Sequence, residues 1–266
     1  MTDDSSYVLP AVIMGVYSFI GLIINVFVIY ITYKLKIFGF AFGVGCRSHI
    51  AANIIILSSY VFLALVTFIK PNLHTDYFVS RAGHIMAISM NVSELSHLYL
   101  ALNRAVVIFM PTRYRIVFST FVVYSSMVAI WVLATIICLP YFLPAYQIVF
   151  SVKDMVVLQP TNQSLWVDIA TYCSLSNLAI LVIVNLVVFV KIKTSSLTKS
   201  LAASMTTDLN KQKTILELRF FFQSFTQVSL FALILLQFFL VQPHIHDVSS
   251  FISVTLVWIT LHTTDG

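Results

Sequence analysis

Charged residues are scarce in this chain, and so are the residues on which several protein classes depend. Only 9% of the 266 residues are charged, whereas 59% are hydrophobic and the mean hydropathy is +0.96. A soluble domain carries about 25% charged residues, so this chain lacks the charge to cover a surface that faces water. Seven glycines, seven prolines and three cysteines exclude collagenous, low-complexity and disulfide-stapled chains. A membrane protein remains.

Long uncharged runs account for the apolar residues. Each crossing of a bilayer needs about 20 apolar residues, and the chain has seven runs that reach or approach this length. The predicted spans are Leu9–Tyr33, Ile50–Ile69, Ala82–Ile108, Phe121–Leu143, Ile169–Val190, Phe220–Val241 and a last run from Phe251. The separators are too short for a second folded domain. The sequence therefore predicts one all-α, seven-helix transmembrane domain over residues 1–266.

The seventh span is short. At about 1.5 Å per residue, the run from Phe251 to Gly266 reaches about 24 Å of a ~30 Å hydrocarbon core. We therefore expect a truncated seventh helix.

Basic residues predict the orientation of the spans. With the N-terminus outside, twelve of the 15 Lys and Arg residues fall on the inner side, and only Lys70, Arg81 and Lys153 fall on the outer side. The positive-inside rule then predicts a multi-pass membrane protein whose N-terminus lies outside. This bias explains the net charge of +5. Basic residues spread over three inner turns do not indicate a nucleic-acid partner.

Glu94 is the one acid deep within a predicted span. Asn91 and His97 lie three residues before and after it, so we expect the three side chains on one side of the third helix. An intramembrane acid is costly and usually faces the bundle interior or a water-filled cavity. Two interpretations stay open: contact with a ligand or ion, and ordinary interhelical hydrogen bonding shared with nearby serines. We predict Met86, Met90, Asn91 and Glu94 as ligand-pocket residues.

Patterns typical of enzymes are missing. The seven histidines are scattered, and no Cys pair or His-Glu motif has the spacing of metal ligands. Neither a glycine-rich phosphate loop nor a nucleophile elbow occurs in the sequence. The sequence therefore predicts no enzymatic activity, no metal and no cofactor.

The segment Leu100–Ser119 is the most informative part of the chain. A span runs through Asn103-Arg104, continues for one apolar turn, and then meets Pro111 and a basic turn that contains Tyr114. An arginine at the mouth of a helix bundle can pair internally in one state and be released in another, so this segment is a candidate two-state element. The alternative is that Arg104 only extends toward the lipid headgroups.

This segment resembles the nematode serpentine chemoreceptors of class X (Srx), seven-helix receptors within the rhodopsin-like G-protein-coupled receptor superfamily. Class X favours Leu-Ala-Leu-Asn-Arg, then Phe-x-Pro-x-x-Tyr and a Phe-Ser pair. The matching residues are Leu100 to Arg104, Phe109, Pro111, Tyr114, Phe118 and Ser119. Other parts of the chain show the same similarity, at Gly21, Asn25, Phe42, Gly43, Cys46, Ser48, Ala51, Asn53, Trp258, His262, Asp265 and Gly266.

The resemblance implies a chemosensory receptor that transmits the binding of a small-molecule ligand to a heterotrimeric G protein. It implies that Asn103, Arg104, Pro111 and Tyr114 form the switch for G-protein coupling. The chain departs from the superfamily in having Asn103 in place of the acid before the arginine. Its second outer loop has no cysteine, so the common disulfide to the third span cannot form. Asn162 begins a sequon in that loop, and we predict its glycosylation.

Two alternatives to a signalling receptor stay open. One is a C-terminally truncated, non-signalling receptor remnant, because residues beyond the seventh helix normally help to engage the transducer in the resembling family. The other is a small transporter or channel, which should show repeated halves, broken helices or several intramembrane ionisable groups. The sequence has no internal repeat and offers mainly Glu94, which favours the receptor.

Overall fold

The computed structural model is a bundle of long helices with one β-hairpin. It describes residues 8–35, 39–69, 77–151, 156–160, 165–202, 225–226, 228–230, 232–233 and 248–264. The described helices are α1 (Val8–Leu35), α2 (Phe40–Ile69), α3 (Tyr77–Phe109), α4 (Tyr114–Val117), α5 (Thr120–Cys138), α6 (Leu165–Ala202) and α7 (Val248–Thr264). Most of the predicted sixth span lies outside the described residues, but 225–226, 228–230 and 232–233 are helical.

Among the described residues, five helices are long and apolar enough to cross a membrane. They are α1, α2, α3, α6 and the helix formed by α5 with the 3₁₀ turn Leu139–Phe142 that follows it, and α7 contains a shorter apolar helix, Ile252–Thr264. Large apolar side chains face outward; Phe19, Ile23 and Phe27 of α1 are 54%, 55% and 61% exposed. Water would oppose such a surface, whereas lipid accepts it. The prediction of a multi-pass helical membrane protein is confirmed.

Helix α2 begins well before the apolar run that predicted it. α2 begins at Phe40 rather than Ile50, and its polar first turns have partners inside the protein. Arg47 Nε donates to the Gly43 carbonyl at 3.1 Å, and Trp131 Nε1 of α5 donates to Ser48 Oγ at 3.1 Å. Hydropathy therefore marks the lipid-embedded part of α2, while internal hydrogen bonds allow the helix to continue beyond it.

A β-hairpin is the one described element that the all-α prediction did not include. Strands β1 (Ile148–Ser151) and β2 (Val156–Pro160) pair antiparallel, with Ile148 opposite Pro160. Ile148 is buried against α3 at Gly83, where an added Cβ would lie 3.0 Å from Ile148 Cγ2. Since all three cysteines are free, this close apolar contact holds the hairpin to α3 where the superfamily commonly has a disulfide.

The core has several apolar clusters, and two of them lie at opposite ends of the bundle. The part beside the hairpin joins α1, α2, α3 and α7, through Met14, Leu57, Tyr60, Leu63, Met86, Ile148 and Ile259. We call this the hairpin end. The part at the other end joins the start of α2, the last turns of α3 and α5, through Ala41, Val44, Tyr99, Leu100, Val123 and Met127. We call this the arginine end, because Arg104 lies there.

Candidate functional site

A chain of buried polar side chains crosses the middle of the bundle, between the two ends. Asn53 is at its centre: Nδ2 lies 3.1 Å from His49 Nε2, and Oδ1 lies 3.0 Å from His262 Nδ1. His49 Nδ1 in turn lies 3.2 Å from Ser93 Oγ. Asn25 Nδ2 donates to the backbone carbonyl of His262 at 3.2 Å. These five residues, all buried, connect α1, α2, α3 and α7. We call them the central network.

One set of proton positions allows all of these hydrogen bonds between side chains to form without any charge. His262 Nδ1–H donates to Asn53 Oδ1, the Asn53 amide donates to His49 Nε2, and His49 Nδ1–H donates to Ser93. The close approach of α1 to α7 depends on Gly21, since a Cβ there would collide with a hydroxyl of α7. Asn53 and His262 entered the sequence analysis only as points of resemblance, because their contact joins positions 209 residues apart.

Glu94 lies at the contact between α3 and α6. Ser174 Oγ of α6 donates to both carboxyl oxygens, at 3.3 Å and 3.0 Å. Asn177, one turn further along α6, hydrogen-bonds to the same carboxyl group, which is almost fully buried. Interhelical hydrogen bonding therefore occurs at Glu94, but its partners are on α6 rather than among the serines of α3.

Asn91, Glu94 and His97, which we expected broadly on one side of α3, contact three different helices. Asn91 Nδ2 donates to the Ala87 carbonyl at 3.0 Å and contacts Cys138 Sγ of α5 at 3.5 Å. Glu94 faces α6, whereas the His97 ring packs on His49 of α2 with centroids 4.3 Å apart. At about 100° per residue, positions six apart point about 120° away from each other. The three side chains therefore contact three different helices.

The four predicted pocket residues do not form one group. Met86 is fully buried in the core at the hairpin end, and Met90 is partly buried and contacts both that core and a second cluster around Trp258. Asn91 and Glu94 face α5 and α6 respectively. A ligand that touched all four would have to extend from the hairpin end to the middle of the bundle. Their role stays a prediction.

The predicted coupling residues lie together at the arginine end, but each of them has different neighbours. Asn103 Nδ2 donates to the Tyr114 hydroxyl at 3.3 Å, which ties the turn after α3 back to α3. The Arg104 guanidinium lies 6.0 Å from the ring centroid of Phe42 on α2. Its Nε is buried and has no hydrogen-bond partner among the described residues. Pro111 is exposed in the turn between α3 and α4.

Stacked aromatic rings support this turn. The ring of Phe118 lies 5.2 Å from that of Tyr114 and 5.7 Å from that of Tyr99. The Tyr99 hydroxyl donates to the Ala41 carbonyl at the start of α2, at 3.4 Å. The turn that follows Arg104 is therefore fixed to both α2 and α3.

The sequence analysis missed a second arginine site, at the hairpin end. Arg81 Nη1 lies 3.2 Å from His84 Nδ1, and the guanidinium lies over the rings of Tyr77 at 4.7 Å and Phe142 at 5.1 Å. The His84 ring is 4.8 Å from the Phe142 ring. The available signal was the three-residue spacing of Arg81 and His84, which places them side by side on a helix.

Two further predictions concern glycosylation and metal binding. Asn162, the predicted glycosylation site, lies outside the described residues. Over the described ranges, no three His, Cys, Asp or Glu side chains are grouped as a metal site would require.

Comparison with known proteins identifies the family. A search of the curated proteins finds no match. A family model described as "Serpentine type 7TM GPCR chemoreceptor Srx" matches residues 16–266, which includes every described helix from the third turn of α1 onward. The resemblance inferred from the motif around Arg104 is therefore confirmed. The chain belongs to the Srx family of serpentine seven-transmembrane chemoreceptors.

Proposed function

We propose that this Srx-family protein is a plasma-membrane receptor that couples a small-molecule ligand at its hairpin end to a heterotrimeric G protein at its arginine end. The observation that carries the proposal is Arg104, a partly buried cation whose buried Nε–H has no acceptor among the described residues. A charge partly withdrawn from water without a partner is costly, so its presence at the mouth of the bundle favours a functional role. The whole chain acts as one receptor unit in this proposal.

The orientation follows from the distribution of charge. Twelve of 15 basic residues belong to the arginine end and the segments predicted on that side. The arginine end is therefore cytoplasmic, and the hairpin end and the N-terminus are extracellular. Labelling of an N-terminal epitope in unpermeabilised cells tests this orientation; labelling only after permeabilisation would contradict it.

The arginine end has the contacts that a two-state element needs. Asn103 Nδ2 donates to the Tyr114 hydroxyl. Arg104 lies near the Phe42 ring, and its Nε–H has no acceptor among the described residues. A G protein that presents carbonyl or carboxylate oxygens to Arg104 would stabilise the state in which the guanidinium leaves Phe42. Ligand binding shifts the population toward that state only if the ligand prefers it, because equal affinity for both states shifts nothing.

The α3–α6 contact is the proposed link between the two ends. Glu94 and Ser174 form a hydrogen bond that a ligand polar group can replace from the hairpin side, near Met86, Met90 and Asn91. Loss of the Glu94–Ser174 hydrogen bond would alter how α6 packs on α3. Because Arg104 also lies on α3, a shift of α3 would change the surroundings of Arg104 at the arginine end.

A signalling assay with a matched control tests the proposal. The full chain is expressed in reporter cells that report G-protein activation and is screened against a panel of organic acids, amines, alcohols and esters. Arg104→Gln should reduce the ligand-driven signal at least about tenfold, within the range of typical coupling energies, with unchanged surface labelling. Arg47→Gln is the control, because Arg47 is a basic residue at the same end whose Nε already has a carbonyl partner. Full signalling by Arg104→Gln would contradict the coupling role.

A further inference from the structure

The hairpin end contains two buried nitrogen atoms that lack a partner. Arg81 Nε and His84 Nε2 are both inaccessible to solvent and have no hydrogen-bond partner among the described residues. His84 is completely buried, so it does not reach bulk water. Buried polar atoms in native proteins are nearly always hydrogen-bonded, and two neighbouring exceptions call for an explanation.

The chemistry of the pair identifies both atoms as donors. A guanidinium has five N–H groups and no acceptor, so at 3.2 Å Arg81 Nη1 donates to His84 Nδ1. His84 Nδ1 is then an acceptor, which places the imidazole proton on Nε2. Arg81 Nε–H and His84 Nε2–H therefore both require an acceptor. The site carries one positive charge, and no carboxylate in the described part of the chain is paired with it.

The surroundings of these donors are aromatic. Phe142 contacts both the Arg81 guanidinium and the His84 ring, and Tyr77 lies on the guanidinium as well. One residue away, Ile148 of the hairpin packs on Gly83 and covers this turn of α3. A charged acceptor held between apolar walls gains more from such donors than it would in water.

We propose that Arg81, positioned by His84, binds the carboxylate of the receptor's ligand, and that the ligand class is small organic acids with an apolar body. The Arg81 guanidinium donates to the carboxylate oxygens, His84 Nδ1 holds the guanidinium by accepting from Nη1, and the apolar body contacts Phe142 and the neighbouring apolar side chains. The signalling consequence of this binding rests on the function proposed above, but the binding itself does not. Water molecules that accept from Arg81 Nε–H and from His84 Nε2–H are the simplest competing explanation.

Binding to the purified full chain in lipid nanodiscs tests the proposal at pH 7. The probes are octanoate and phenylacetate, and their methyl esters are the neutral matched controls. The acids should bind and raise the thermal midpoint, whereas the esters should not. Arg81→Gln and His84→Leu should each weaken acid binding about 10- to 100-fold, because each removes a hydrogen bond to a charged group. Arg81→Lys, which keeps the charge but loses the planar fork, should fall between wild type and Arg81→Gln.

Arg47→Gln, a charge removal at the other end, should bind the acids as the wild type does. Variants are compared only after size-exclusion chromatography shows a monodisperse receptor, and Arg81→Lys keeps the test decisive if Arg81→Gln does not fold. Equal binding of acids and esters would overturn the proposal, as would acid binding that Arg81→Gln leaves unchanged. Binding of chloride alone, or no binding of either acid, would overturn it too and would leave water as the acceptor.

The outcomes separate this proposal from the proposed function. Acid binding that depends on Arg81, without activation of any G protein, would uphold the site and contradict the coupling. Signalling by neutral compounds that Arg81→Gln leaves intact would uphold the receptor function and contradict the site.

Discussion

The middle of the bundle and its two ends hold different kinds of polar groups. In the central network, Asn25, His49, Asn53, Ser93 and His262 form hydrogen bonds that connect four helices. At the ends, the Arg81 and Arg104 guanidinium groups lie beside aromatic rings, and each has a buried Nε–H without an acceptor among the described residues. We therefore expect the middle to contribute more to stability and the end cations to contribute more to function.

This contrast predicts that replacements in the middle reduce stability, whereas replacements of the end arginines reduce function. The largest effect on stability is expected for Asn53→Leu. It leaves His49 and His262 each with a buried nitrogen that has lost its partner, so the free energy of unfolding should fall by about 2–4 kcal/mol. Equilibrium unfolding in mixed micelles measures it. Ser59→Ala on the same helix is the control, since Ser59 bonds only to its own helix backbone. A loss no greater than that of Ser59→Ala would contradict the role of the network.

A smaller loss is expected at the α3–α6 contact. Glu94→Ala removes the acceptor of Ser174, and in a double-mutant cycle with Ser174→Ala the two should couple by about 0.6–1.7 kcal/mol, as hydrogen bonds between transmembrane helices do. Glu94→Gln retains an acceptor and should keep most of this coupling. Additive losses, with no coupling, would mean that the contact contributes nothing to packing.

The hairpin should respond to Gly83→Ala. The new Cβ would lie 3.0 Å from Ile148 Cγ2, so β1 must shift by a few tenths of an ångström, at a cost of about 1 kcal/mol. Hydrogen exchange of the hairpin amides should speed up, while that of residues around Tyr99 at the arginine end should not change. Equal acceleration at both ends would show that the hairpin is not an independent unit.

The smallest effect is expected for Tyr114→Phe. It removes the acceptor of one Asn103 hydrogen bond at a partly exposed position, so stability should fall by about 0.5 kcal/mol while ring stacking on Phe118 is kept. Thermal unfolding compared with Tyr124→Phe, an exposed tyrosine of α5, measures it. A loss above about 2 kcal/mol would show that this turn contributes to stability as the central network does.

Sequence alone predicted the parts of the structure that depend on local composition. Apolar runs located the described spans, but not where α2 begins, because its first turns are stabilised by Trp131 of α5 and not by hydropathy. The motif around Arg104 identified the family and the arginine end. Glu94 was recognised as unusual, but its partner Ser174 is 80 residues away, and no local pattern indicates such a contact.

The hairpin end was the least predictable from sequence. Arg81 was counted only as an outer basic residue, and its importance depends on Phe142 of another segment, which closes the site. His84 was one of several scattered histidines until the structure placed it against Arg81. Unpaired donors are a property of three-dimensional packing, so no sequence pattern reveals them.

The most direct test of the contrast is the equilibrium unfolding free energy of Arg104→Gln, measured in the same micelles as Asn53→Leu. Arg104 carries a buried Nε–H that has no acceptor among the described residues, so removing it should leave stability within about 0.5 kcal/mol of wild type or raise it. A loss of about 2 kcal/mol or more would contradict the account, because that side chain would then be part of the scaffold.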